Sequence, residues 1–116
     1  MTRLLEDAFD PESFRKNGHR IIDMLADYLS AVRTDPALQA LPWTSPGDNL
    51  EKWKADFASI PEIPDLPGTG RVLEQFCADV IDHSIRLHHP KYMGHQVVPP
   101  APPAALVDLV SALLNN

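Results

Sequence analysis

The sequence predicts an all-α fold, and three observations carry that expectation. Apolar residues recur at helical spacing in three separate stretches. No alternating run is long enough to build a sheet. The 12 prolines are bunched between the apolar stretches, not scattered through them. The expected architecture is three amphipathic helices joined by proline-rich extended connectors.

The first helix is expected over 11–33. Asp10 is placed to accept from the free N–H groups of its first turn, Pro11 suits the first helical position, and Glu12 complements the helix dipole. Phe14, Ile21, Ile22, Leu25, Tyr28, Leu29 and Val32 then form one stripe, while Arg15, Lys16, Asp23 and Asp27 fall on the other side. Thr34-Asp35-Pro36 ends it, since the residue before a proline is pushed out of the helical region.

A connector is expected over 34–70. It carries Pro42, Pro46, Pro61, Pro64 and Pro67 beyond Pro36, with room for a short helix near Asn49 to Ser59. Trp43, Trp53 and Phe57 are its candidate anchors. The second helix is expected over 71–88, on Val72, Leu73, Phe76, Val80, Ile81, Ile85 and Leu87, with Thr69 as its cap and His88-His89-Pro90 as its stop. A loop over 89–103 leads to a third helix over 104–116, begun by Pro102 or Pro103, with Leu106, Leu109, Val110, Leu113 and Leu114 on one side.

A chain of 116 residues with 44% hydrophobic residues is sized for one domain whose small core leans on neighbours. The formal charge of -6 argues against nucleic acid and against an anionic membrane surface. Arg15, Lys16 and Arg20 do cluster, but Glu12, Asp23 and Asp27 share their stretch, which makes a solvated mixed face. Cys77 is alone and lies in an apolar run, so it is expected as a buried structural thiol in a reducing compartment. The opening MTRLLEDAFD holds acids and no sustained apolar run, so neither a leader peptide nor a membrane span is expected there, and the default location is the cytoplasm.

The chain shows no catalytic engine of its own. His83, His88, His89 and His95 lack a cysteine pair or an HExxH arrangement, so they read as helix-end and loop histidines and not as a zinc site. Ser30, Ser84 and Ser111 fall within helix patterns, away from any strained turn that would present a nucleophile, and the glycines form no phosphate loop. The run VVPPAPP from Val97 to Pro103 has polyproline character. Pinned between two amphipathic helices, it is expected to be a stiff loop presenting His95 and Gln96.

Three stretches, taken in order, carry a resemblance: FRKNGHRIIDMLADYLSAVR (Phe14 to Arg33), LPWTSPGDNL (Leu41 to Leu50) and HPKYMGHQVVPPAPPAALVDLVSALLNN (His89 to Asn116). They resemble the N-terminal part of the group II pyridoxal-phosphate-dependent amino-acid decarboxylases, which include aromatic-L-amino-acid, tyrosine, histidine and glutamate decarboxylases. The third stretch is the most specific, with its His-Pro, aromatic, short loop and apolar helix bearing Asp108 and ending on Asn115.

The resemblance implies the N-terminal segment of a fold-type I enzyme, intertwined with a partner subunit as a homodimer. It implies removal of the α-carboxylate of an amino-acid substrate as carbon dioxide, with pyridoxal phosphate as electron sink. The lysine that would carry the cofactor follows a histidine in that family, and no such pair occurs here. The cofactor is therefore expected on a domain absent from this chain, and the segment alone is expected to be inactive. His95, Gln96, Tyr92 and Val98 are the implied substrate-pocket residues. His95 stands where relatives carry tyrosine or glutamine, and Val98 where threonine is common, so the substrate does not carry over. Two plainer readings stay open: Tyr92 as a core aromatic closing the second helix, and His89 as its C-terminal cap. The rival from another class is a small helical adaptor that offers its proline loop or apolar helix to a protein partner.

Overall fold

A computed structural model describes residues 3–59, 69–94 and 97–114. The described residues are all-helical, with five helices and no strand. These are α1 (Arg3–Phe9), α2 (Pro11–Thr34), α3 (Pro46–Ala58), α4 (Thr69–His83) and α5 (Pro102–Leu114). The end of the connector, residues 60–68, lies outside the described residues, as does Asn115.

The expectation of three helices, with room for a short one near Asn49 to Ser59, becomes five: α3 occupies that part of the connector and α1 is added. α1 was not expected, because seven residues are too few to show a full apolar period. It is held by tertiary contacts with α2 and α4. α3 is capped by Ser45, whose hydroxyl accepts from the Asp48 N–H at 3.1 Å and donates to the Asp48 carboxylate at 2.6 Å. α2 starts as its sequence dictates: Asp10 accepts from the Ser13 N–H at 2.7 Å, with Pro11 in the first turn.

α4 ends at His83, five residues before the expected stop. Nothing in the local sequence forces that end. Arg86 does: its N–H donates to the Ala40 carbonyl at 2.9 Å and its guanidinium to Gln39 O at 2.8 Å, drawing the chain onto the connector. The same guanidinium reaches back to Asp82 O at 3.3 Å, and His83 Nδ1 donates to Asp79 O at 2.8 Å, so carbonyls of the last turn find partners.

The N-terminus of α4 is also served from elsewhere. The expected cap, Thr69, donates both its N–H (2.8 Å) and its hydroxyl (2.6 Å) to the Asp7 carboxylate of α1, which also accepts from the Ser13 hydroxyl at 2.5 Å. One carboxylate thus ties α1, α2 and α4 together. Gly70 lets α2 and α4 close beside it, since a Cβ there would stand 2.5 Å from the Asn17 side-chain oxygen. The Arg20–Glu74 ion pair at 2.7 Å crosses the same seam but is half in solvent, where such pairs contribute little.

Packing is sparse outside that seam. Among the described residues Val32, 2% exposed, is the one buried hydrophobic side chain. The accessible surface is 9295 Å², against about 6,300 Å² for a compact monomer of this mass. The radius of gyration is 16.7 Å, where about 13 Å is usual for the length. Trp43 (74% exposed) and Phe57 (69% exposed) do not serve as anchors within this chain; of the three aromatics assigned that task, Trp53 is the half-buried one, beside Phe57 and the His83 ring. Cys77 is half-buried, not fully enclosed, because the α4 face it shares is only partly covered.

Candidate functional site

The loop between α4 and α5 is organised by its histidines. His88 Nε2 donates to the Pro100 carbonyl at 2.9 Å, which joins the two ends of the loop across 12 residues. The Tyr28 and His88 rings pack in a T-shaped pair, with centroids 6.0 Å apart and planes at 83°, which holds that neck against α2. His89 is buried, and it shapes the turn instead of capping α4. Its N–H donates to Arg86 O (3.0 Å), its carbonyl accepts from the Tyr92 N–H (2.9 Å), and its Nδ1 accepts from the Lys91 N–H (3.1 Å).

Of the four substrate-pocket candidates, two can be placed. Tyr92 is half-buried just beyond the His89 turn, with its ring folded over Gly94. Val98 is 83% exposed on the run toward Pro100. His95 and Gln96 lie outside the described residues. The neck at His88 brings both placed residues into one loop whose ends are held together.

A cleft of ≈ 600 Å³ opens elsewhere, along the α2–α4 seam, lined by Lys16, Asn17, Arg20, Arg71 and Glu74 among others. None of the loop residues borders it. Its charges are of both signs, which gives it no preference for an anion over a cation. Among the described residues no group of histidine, cysteine or carboxylate side chains is arranged to hold a metal ion.

The lysines do not fit the cofactor that the decarboxylase resemblance implies. Lys52 is hydrogen-bonded by Asp56 and, at 3.2 Å, by Asp79. The Asp56 bond foremost, helped by Asp79 and against some desolvation, raises its pKa and holds it as an ammonium ion that has no lone pair to offer a carbonyl. Burial works to raise Asp79, but hydrogen bonds from Lys52 and Gln75 outweigh it and leave that carboxyl below its usual value. Lys54 pairs with Glu51 at 2.9 Å on the surface, and Lys16 and Lys91 are exposed. No histidine-lysine pair exists in the chain.

Four residues that organise the molecule were not found from the sequence as such: Asp7, Arg86, His88 and Gly94. Asp7 sits in a helix too short to recognise, and its partner Thr69 is 62 residues away. Arg86 and His88 looked like the tail and stop of a helix. Gly94 gave the one local signal, a glycine two residues after an aromatic.

No family model matches the chain, and no solved structure does. A relative does: the phenylacetaldehyde synthase of Petunia hybrida is 28% identical over 106 residues, which is 91% of this chain. The chain spans 19% of that relative's length. The likeness supports the decarboxylase resemblance in a loose form, as a distant and partial kinship to an enzyme of that type. No helix among the described residues is long and apolar enough to cross a membrane.

Proposed function

We propose that this chain is the N-terminal helical segment of a pyridoxal-phosphate-dependent amino-acid decarboxylase and acts in the cytoplasm. The observation that carries the reading is the 28% identity to phenylacetaldehyde synthase, because it runs through 91% of the chain while covering only 19% of the relative. The surface supports it. A chain that exposes 9295 Å² and buries one apolar side chain among the described residues is built to be covered by more protein.

In this reading the segment has two tasks. Its bare helices pack on the catalytic domain and on the partner subunit of a homodimer. Its His88-necked loop supplies Tyr92, His95, Gln96 and Val98 to one wall of the pocket that holds the amino-acid substrate. Prolines and the His88–Pro100 bond stiffen that wall, so little ordering entropy is left to lose when substrate arrives. The cofactor and its lysine belong to the domain beyond this segment, and no step of the reaction is assigned to a residue here.

The test is the longer protein read from the gene. It should show the absorbance of an internal aldimine and release carbon dioxide from one member of a panel of aromatic, acidic and diamino acids. The panel should also be assayed for aldehyde, the product in the relative's name. A reading frame that closes at Asn116, yielding a protein without that absorbance, would remove the proposal and leave the adaptor.

A further inference from the structure

We infer that Gly94 is a positioning residue: it is the seat of the Tyr92 side chain, and the absence of a side chain at 94 fixes where the Tyr92 phenol stands. A Cβ built at Gly94 would collide with the Tyr92 hydroxyl and Cζ, and would lie 2.6 Å from Cε1. Gly94 does not take the left-handed backbone conformation that calls for glycine by itself. Space, not backbone freedom, is what the glycine supplies.

The backbone of the turn is set independently of that contact. The Tyr92 N–H is held by His89 O at 2.9 Å and the Lys91 N–H by His89 Nδ1 at 3.1 Å. A methyl group at 94 therefore leaves the turn standing and expels the ring, whose far end swings freely about its two side-chain torsions. The three atoms nearest to a Cβ at position 94 all belong to the Tyr92 side chain. That its placement matters to substrate rests on the pocket reading above, in which Tyr92 is one of the wall residues.

The experiment uses the full-length protein with 3-fluorotyrosine placed at position 92 alone and read by fluorine NMR, beside steady-state kinetics. Gly94→Ala and Gly94→Ser should each move the fluorine resonance to that of a solvent-exposed tyrosine, with Tm unchanged. Each should lower kcat/KM by about tenfold, mainly through KM, as expected when a binding group is displaced. In a Tyr92→Ala background, Gly94→Ala should have no further effect. An unmoved fluorine resonance in both glycine variants overturns the seat. A moved resonance with parental kinetics in Gly94→Ala and in Tyr92→Ala upholds the seat and overturns the pocket placement of Tyr92.

Discussion

α2 and α5 are both helices with a strong apolar side, yet one is packed and the other is bare. α2 turns its stripe partly toward α1 and α4 and gives Arg15, Lys16, Asp23 and Asp27 to water. α5 makes no substantial contact with the other described helices, and every residue but Ser111 is exposed. Its bulky side holds Leu106, Val107, Leu109, Val110, Leu113 and Leu114; the opposite side holds Ala104, Ala105, Asp108 and Ala112. Water completes the second face of α2. Nothing of the kind completes α5, because its second face is mostly alanine. Covering the six bulky residues would be worth on the order of 10 kcal/mol before entropy is subtracted. The contrast separates a helix whose apolar stripe is partly covered within this chain from one whose bulky side is left bare.

The packed side of that contrast breaks most readily at its buried points. Val32→Asp places a charge at the best-buried apolar position and should cost about 3 kcal/mol or more, read as a lowered urea midpoint. An unchanged midpoint would mean that α2 has no interior here. Arg86→Met removes the guanidinium bonds to Gln39 O and Asp82 O and should cost about 2 kcal/mol. Amide exchange in 84–89 should quicken with it, since the connector no longer holds that turn.

A gentler perturbation acts on the α1–α2–α4 tie. The Ser13 hydroxyl first, then the Thr69 hydroxyl and N–H, hold the Asp7 carboxyl down to about 2 from an unfolded value of 3.8. Its folded pKa is depressed, so its contribution is full above 3.8 and disappears as pH falls toward 2. Asp7→Asn should lower Tm by a few degrees at neutral pH and flatten the acid limb of the Tm–pH curve. Asp79, lowered in the same direction, should leave a smaller limb of the same sign. An acid limb identical to the parent's would show that the tie does not titrate.

The smallest expected effect is on α5, and it sharpens the contrast most. Leu109→Glu with Leu113→Glu should change the stability of the 116-residue chain by less than about 0.5 kcal/mol, because both side chains are already in water. In the longer protein the same pair should abolish assembly, measured by sedimentation. Loss of stability in the short chain would place α5 inside this fold and withdraw the reading that it is covered from outside.

Much of the helix content was legible because its signals are local. Asp10, Pro11 and the Phe14-to-Val32 stripe set the start and span of α2 within one continuous segment, and Pro102 marks the start of α5. α1 was not legible, and neither was the end of α4, since each depends on a bond from far along the chain: Asp7 to Thr69 and Arg86 to Gln39. At the candidate site, the His-Pro and its aromatic could be picked out as a loop. That His88 closes the loop on Pro100 and that Tyr92 folds over Gly94 could not, because both are contacts between side chains and backbone that the spacing of residue types does not encode.

The sequence by itself determined the helical class, the proline boundaries and the apolar faces, because propensity, capping and periodicity act over a few residues. Tertiary structure alone decided which faces meet, where α4 stops and how the loop is necked. Those outcomes turn on a carboxylate, a guanidinium and an imidazole finding partners 62, 47 and 12 residues away, and hydrogen bonds over such separations are set by the folded geometry and not by the local chain.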